Sequence, residues 1–493
     1  MEFILVGKKI KELKGNALVI GVYKELSLTP VAQEIDSFLE GKLIEFLKDI
    51  DFKGELEKTV FMPVKDKTNF KYLIITGLGE KEKLEPDKIR KASASALKKV
   101  EELKLNDVTF ENLGSEQLGE KAIQWLVEGV LLSNYKFKKY KKDNEKTKIE
   151  KINLLVEKKW QKSIQIGKYL AEAANFTRDL VNEPGNVIKP QDLAEIAIRL
   201  AKEVGLKCIV YDEKKLKDEK MHGILAVGQG SYHPPRFIHL AYTPSKAKKR
   251  FVIIGKGITF DSGGLNIKPD QFMKTMKSDK AGACAVLGIM KAIASLKPQC
   301  EVHGLIPAAE NMPGGKAFRP DDIIVFKNGK SVEIHNTDAE GRLILADALI
   351  YASDLKPDVI IDMATLTGAC IVALGRFTSG IFSNDENLTK DIQEIGKETG
   401  EKFWPLPLDE DLKEEIKGTF GDIKNVGSRY GGAITAALFL KEFVEVKHWI
   451  HLDIAGPAYL EKSWKYYVEG ATGVPVRTVL TWLLKEANYG FGD

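Results

Sequence analysis

Over residues 184–493, short apolar runs alternate with helix-like segments, and that alternation constrains the fold more than any other feature of the chain. Phe251 to Ile254, Asp358 to Met363 and Trp449 to Asp453 are the clearest runs. Strands buried on both faces read as continuous apolar stretches, and strands separated by helices pair side by side in parallel. The pattern predicts an α/β fold with a mostly parallel central sheet flanked by helices. Residues 1 to 160 repeat the pattern on a smaller scale. Ala17 to Tyr23, Tyr72 to Thr76 and Ile152 to Val156 read as strands, and Pro86 to Leu103 as an amphipathic helix. The expectation is two domains: a small N-terminal α/β domain over 1–160, a connecting helix over 161–183, and a larger domain over 184–493. Within that seam, Val181 to Asn186 reads as a turn-rich break.

A chain of 493 residues with 44% hydrophobic and 29% charged residues is an ordinary globular protein, which excludes disordered and fibrous classes. Lys plus Arg is 74 and Asp plus Glu is 70, a difference of +4, too weak to argue for a nucleic-acid partner. The stretch Tyr135 to Lys146 interleaves lysines with aromatics, as single-strand binders do, but a solvated loop is the ordinary meaning of such a run. Cys208, Cys284, Cys300 and Cys370 lie far apart with no CxxC pair, which argues for reduced, buried thiols. The N-terminus lacks a basic, apolar leader and no run reaches membrane-spanning length, so the expectation is a cytoplasmic protein without a membrane partner.

Several familiar sites are absent. Gly329-Lys330-Ser331 resembles the end of a phosphate loop, but Ile324 stands where that motif needs glycine. Gly228 and Gly230 begin a dinucleotide fingerprint that His233 breaks, which leaves a turn. Neither an HExxH helix nor a GxSxG elbow occurs, and the seven histidines are scattered.

The chemistry concentrates between 251 and 345. An apolar strand leads into Gly255-Lys256-Gly257, then Asp261, the Gly263-Gly264 turn and Lys268. Ligands gather at the carboxyl ends of parallel strands, and glycines let charged groups converge there. A second block, Met276-Lys277-Ser278-Asp279-Lys280, precedes an apolar helix to about Leu296. Ser278 or Asp279 could cap that helix, and Asp279 equally suits a metal. The third block, Asn336-Thr337-Asp338-Ala339-Glu340-Gly341-Arg342-Leu343, packs two carboxylates and an arginine into five residues before a helix to about Ser353. Capping accounts for one carboxylate, not for the set. Asp261, Asp279, Asp338 and Glu340 carry four negative charges, which two divalent cations neutralise, whereas one would leave carboxylates buried without compensation.

These blocks resemble the leucyl aminopeptidase family of dinuclear metallopeptidases. Asn336 to Leu343 matches that family's octapeptide throughout, and Gly255 to Gly264 its metal-ligand strand. Arg178-Asp179-Leu180-Val181-Asn182-Glu183-Pro184 and His451-Leu452-Asp453-Ile454-Ala455-Gly456 extend the resemblance over about 175–493. It implies that Lys256, Asp261, Asp279 and Glu340 ligate one metal, and Asp261, Asp338 and Glu340 the other. The metals would be Zn or Mn, with Mg and Co as alternatives. A neutral Lys256 is implied, its pKa depressed by the cations.

The resemblance further implies attack of a dimetal-bound hydroxide on the scissile carbonyl, with the substrate's free α-amine on a metal. Lys268 would stabilise the oxyanion, and Arg342 would hold a bicarbonate that carries the proton. Met276, Thr365, Gly368, Ala455 and Ala458 would line an accommodating apolar pocket for leucine- or methionine-like residues, though Met276 equally suits core packing. Peptide substrates and a homohexamer are the implied partners. Two rivals stand beside this reading: another dinuclear hydrolase such as an amidase or phosphoesterase, and a DNA-binding protein, using Lys138 to Lys142, with secondary peptidase activity.

Overall fold

The apolar runs become the middle strands of two sheets. A computed structural model describes residues 1–7, 10–64, 68–142 and 149–489. The N-terminal sheet has six strands in the order Glu2–Leu5, Lys151–Leu155, Asp107–Glu111, Gly15–Tyr23, Phe70–Gly79 and Thr59–Pro63. All pairs are parallel except the last.

The second sheet has nine strands. Its middle is parallel, in the order Trp449–Asp453, Val359–Ala364, Arg250–Gly255 and Glu301–Asn311. Gly257–Asp261 adds to Glu301–Asn311, also in parallel. The flanks turn antiparallel: Arg236–Tyr242 runs against Glu301–Asn311 and against Lys207–Tyr211, and Thr378–Ser383 runs against Trp449–Asp453. Apolar content does not encode strand direction, so these reversals follow from the connections and not from the runs themselves.

Alternate residues of one strand feed opposite cores. Ile253 and Ile361 join the cluster beneath the helix Ala281–Leu296, while Val252, Ile254 and Ile360 join the one beneath Gly341–Asp354. Both faces are therefore covered, which explains why these strands are apolar throughout.

The helix Gln161–Asn182 links the two halves. Ile166 and Leu170 enter the core of the larger domain, and Ile164, Ala171 and Ala174 enter the N-terminal one. It continues through Val181 and Asn182, so the expected break begins only at Glu183. Asn182 is fixed from outside the helix: its carboxamide accepts from Ala471 N–H and donates to the Tyr135 hydroxyl. The four cysteines are free thiols, three of them buried. Gly329 lies in the turn joining Ile323–Val325 to its antiparallel partner Ser331–Glu333. Within the lysine-rich stretch, Lys136 pairs with Glu101 at 2.8 Å and Lys139 with Glu183 at 2.6 Å; Asp143 to Lys146 lie outside the described residues. No helix among the described residues is long and apolar enough to cross a membrane.

Candidate metal centre

Three chain segments deliver acid to one point at the carboxyl end of the central strands. Lys256 follows Arg250–Gly255, and Asp261 ends the next strand. Asp279 lies in the 3₁₀ turn Met276–Lys280, and Asp338 and Glu340 immediately precede the helix Gly341–Asp354. Lys280, without a side-chain cap bond, occupies the N-cap of Ala281–Leu296, so neither Ser278 nor Asp279 serves as that helix's cap. Two glycine features make the convergence possible. Gly263 and Gly264 take φ of 88° and 66°, which folds Lys268 back over Asp261. At Gly341 a Cβ would lie 2.5 Å from Lys256 Cε, so a larger residue there would push the lysine off its present position.

Carboxylate oxygens of Asp261, Asp338 and Glu340 lie within 4.8 Å of one another. Lys256 Nζ is 2.8 Å from both Asp279 Oδ2 and Glu340 Oε1, and donates to Thr365 O at 3.0 Å. Lys268 Nζ lies 2.9 Å from Asp261 Oδ2 and 2.5 Å from Asp338 Oδ1. Four carboxylates thus face two ammonium groups. Glu340 Oε2 is buried with no hydrogen-bond partner.

This crowding appears in the acid–base behaviour of the protein groups. Burial pushes Asp279 up to about 8, against the pull of Lys256 and with the push of Glu340 and Asp261. Burial followed by Glu340 also raises Asp338. Burial opposes the charge of Lys256, but Asp279, Glu340 and Asp261 outweigh it and raise the ammonium's pKa. An excess of buried carboxylate, an orphaned acceptor and an amine within 2.8 Å of two carboxylates form a donor set that fits hard divalent cations.

Around the cage, Arg342 is buried and its Nη1 donates to Asn425 O at 2.7 Å, leaving Nε unpartnered. Burial lowers its pKa to about 10. Thr365 donates to Asp279 Oδ1 at 2.6 Å. Met276 opens the turn that carries Asp279, Gly368 begins the short helix Gly368–Leu374, and Ala455 follows the strand Trp449–Asp453. Ala458 is 2% exposed and packs in the main core.

Three residues to which the sequence assigned no role hold this arrangement. Asn311 Nδ2 donates to Asp261 Oδ1 at 2.9 Å and to Thr337 O at 3.1 Å, bridging two of the acidic segments. Asp453 accepts from Leu366 N, Thr367 Oγ1 and Ala455 N, tying together the loops that carry Thr365, Gly368 and Ala455. Asn425 grips the octapeptide. Its Oδ1 accepts from His335 N at 2.8 Å and Asn336 N at 3.3 Å, and its Nδ2 donates to Asn336 O at 2.7 Å.

The family model for the cytosol aminopeptidase catalytic domain matches residues 175–480, and that for the family's N-terminal domain matches 19–144. The chain belongs to the cytosol aminopeptidase family. It is a metallo-exopeptidase, a hydrolase of the leucyl aminopeptidase type. A probable cytosol aminopeptidase of Persephonella marina is 49% identical over 496 residues, covering 99% of this chain and 100% of the relative. One of Aquifex aeolicus is 50% identical and covers 97% of each chain. Among solved structures, a tomato leucine aminopeptidase mutant superposes with a TM-score of 0.88 at 32% identity, covering 98% of this aminopeptidase and 96% of that chain. The bottromycin maturation enzyme BotP in complex with Mn gives 0.87 at 30% identity, covering 96% and 100%.

Proposed function

We propose that this aminopeptidase releases N-terminal residues from peptides, preferring leucine- and methionine-like side chains with broad tolerance, and does so with two divalent cations. The observation that carries the proposal is the convergence of the buried Asp261, Asp279 and Glu340 with the partly exposed Asp338, with only two ammonium groups to balance them. Lys256, Asp261, Asp279 and Glu340 would hold one cation, and Asp261, Asp338 and Glu340 the other. Zn or Mn suits this set, with Mg and Co as alternatives. When bound, the pair supplies Lewis acidity and a water acidic enough to deprotonate near neutral pH.

The chain's own groups do the remainder. Once cations occupy the carboxylates, Lys256 loses the partners that keep it protonated and can offer a neutral amine. Lys268 stays at the open edge of the cage, with 14% of its side chain exposed, where it can donate to a developing oxyanion. Arg342 Nε, buried and unpartnered, suits a small oxyanion such as bicarbonate. Met276, Thr365, Gly368 and Ala455 would form the wall for the first side chain, with Ala458 supporting it from the core. A wall of this kind discriminates by only about 1–3 kcal/mol per methylene. For assembly and place we propose a cytoplasmic homohexamer, which would cover exposed side chains such as Val372 and Phe420 of the catalytic domain.

Leucyl anilide and N-acetyl-leucyl anilide test the reading, before and after chelation and with single metals restored. Cleavage of the free amine alone, lost on chelation and recovered with Zn or Mn, is the expected result. Preference for the blocked compound would make the protein a different dinuclear hydrolase.

A further inference from the structure

Two lysines flank Asp279 in the turn Met276–Lys280, and both spend their ammonium groups outside the cage. Lys280 is 0% exposed, and its Nζ donates to backbone carbonyls only: Lys277 O at 2.5 Å, Glu183 O at 2.8 Å and Val181 O at 3.3 Å. Lys277 Nζ donates to Asn182 O at 2.8 Å. Residues 181 to 183 are the end of the 22-residue helix Gln161–Asn182 and its C-cap. The last carbonyls of a helix find no partner within it and form the negative end of its dipole, so a cation is favoured there. Lysines of the helix's own last turn can fill that role. This helix has none in its last turn, and the two that serve it lie 95 to 99 residues further along the chain, on either side of an acid of the cage.

Burying an ammonium is costly, and an apolar side chain of the same length would fill the space without that cost. What the charge adds is direction. The turn that carries Asp279 is five residues of 3₁₀ geometry, whose internal hydrogen bonds are poorer than those of an α-helix. The helix end to which it is strapped is fixed from its other sides. Ala471 of the larger domain and Tyr135 of the N-terminal one hold the Asn182 side chain, and Lys139 and the Tyr140 hydroxyl hold the Glu183 carboxylate. The lysine-rich stretch thus serves as a brace for this helix end.

We propose that Lys280, assisted by Lys277, is a positioning residue for Asp279: it straps the turn to the end of the linking helix, so that the carboxylate is already in place when a cation arrives. The proposal rests on the reading of Asp279 as a metal ligand. Because Lys280 bonds carbonyls and not the cage acids, a cation entering the cage displaces none of its partners.

Competition with a chromophoric chelator, which measures Mn affinity of the full-length enzyme and of Lys280→Met, tests the proposal. Groups that orient metal ligands are worth about 10- to 100-fold in affinity, and Asp279 serves a single cation, so one Mn dissociation constant should rise by that factor while the other holds. At limiting Mn, kcat on leucyl anilide should fall with little change in KM, and excess Mn should recover part of it. Glu128→Gln, which loosens the seam between the domains without touching the turn, should leave both constants at the parent value. Unchanged constants in Lys280→Met overturn the proposal. Equal weakening in Glu128→Gln also overturns it, by making the effect one of general stability. A parent that binds no Mn refutes the reading of Asp279 itself, and the strap falls with it. Should Lys280→Met not fold, Lys277→Met at its partly buried neighbour decides alone: a several-fold rise in the same constant supports the strap, and parent affinity overturns it.

Discussion

Two regions of the molecule bury several charges each, and they solve the problem differently. At the seam between the domains, Arg90, Glu128 and Arg477 are fully buried and Glu401 nearly so. Arg90 Nε and Arg477 Nη1 both donate to Glu128 Oε2, at 2.7 and 3.1 Å, while Glu401 Oε2 accepts from the backbone and hydroxyl of Thr478. Two cations meet two anions, and the protein balances itself. In the cage, four carboxylates meet two lysines, and Glu340 Oε2 is left without a partner. Arg90 Nη2 at the seam is likewise without a hydrogen-bond partner, so the orphaned atom does not distinguish the two, and the charge does: a self-neutral cluster needs no further ion, whereas a cluster with surplus acid is built to receive something positive. Burial alone does not separate structure from function, but charge balance does.

The sharpest way to break this contrast is to remove surplus acid. Asp338→Asn or Glu340→Gln should lower kcat on leucyl anilide by about 10³, roughly 4 kcal/mol of transition-state stabilisation. Metal-free stability should be unchanged or improved, since like-charge repulsion falls. Full turnover in the double variant would refute the cage. The converse holds at the seam. Glu128→Gln leaves Arg90 and Arg477 facing a neutral amide, and should cost about 3 kcal/mol in denaturant unfolding while turnover per folded molecule stays level. A turnover loss without a stability loss there would abolish the distinction.

The same physics decides how much was legible in the sequence. The central strands were readable because they are covered on both faces, which makes Phe251 to Ile254 and Trp449 to Asp453 unbroken apolar runs. The cage was readable because its acids lie in short blocks whose charge density has no structural use. Asn311 was not readable: it is a lone amide at a strand end, and its meaning arises only from the register that sets it beside Asp261. Asn425 lies 83 residues beyond Arg342, in a segment with no charge cluster, and reaches the octapeptide through the pairing of Ile423–Lys424 with Ser331–Glu333. Local pattern carries such information poorly because the partner is distant.

Asn425 sharpens the comparison from a third direction, as a neutral residue that serves the cage without belonging to it. Asn425→Ala should weaken metal affinity and kcat by about 10- to 100-fold, the range for groups that orient ligands, with KM little changed. Excess metal should recover part of the loss. A merely structural role predicts a lower melting temperature with normal kcat and metal affinity.

The smallest effect concerns pH. Asp279, raised by burial from 3.8 to about 8, stabilises the fold only while protonated: its contribution is full below about 4 and is lost as pH rises through about 8. Burial likewise raises Glu401 at the seam, and the sign is the same. The metal-free enzyme should therefore lose stability across this interval. Divalent cations bind the ionised carboxylate, so saturation should remove the share due to Asp279 and leave the share due to Glu401. Melting curves across the interval, with and without Mn, measure the two shares. An identical slope in both series would mean that Asp279 does not meet the cation. A slope abolished altogether would mean that the seam, too, responds to the metal, and that the two charge clusters are coupled through the helices between them.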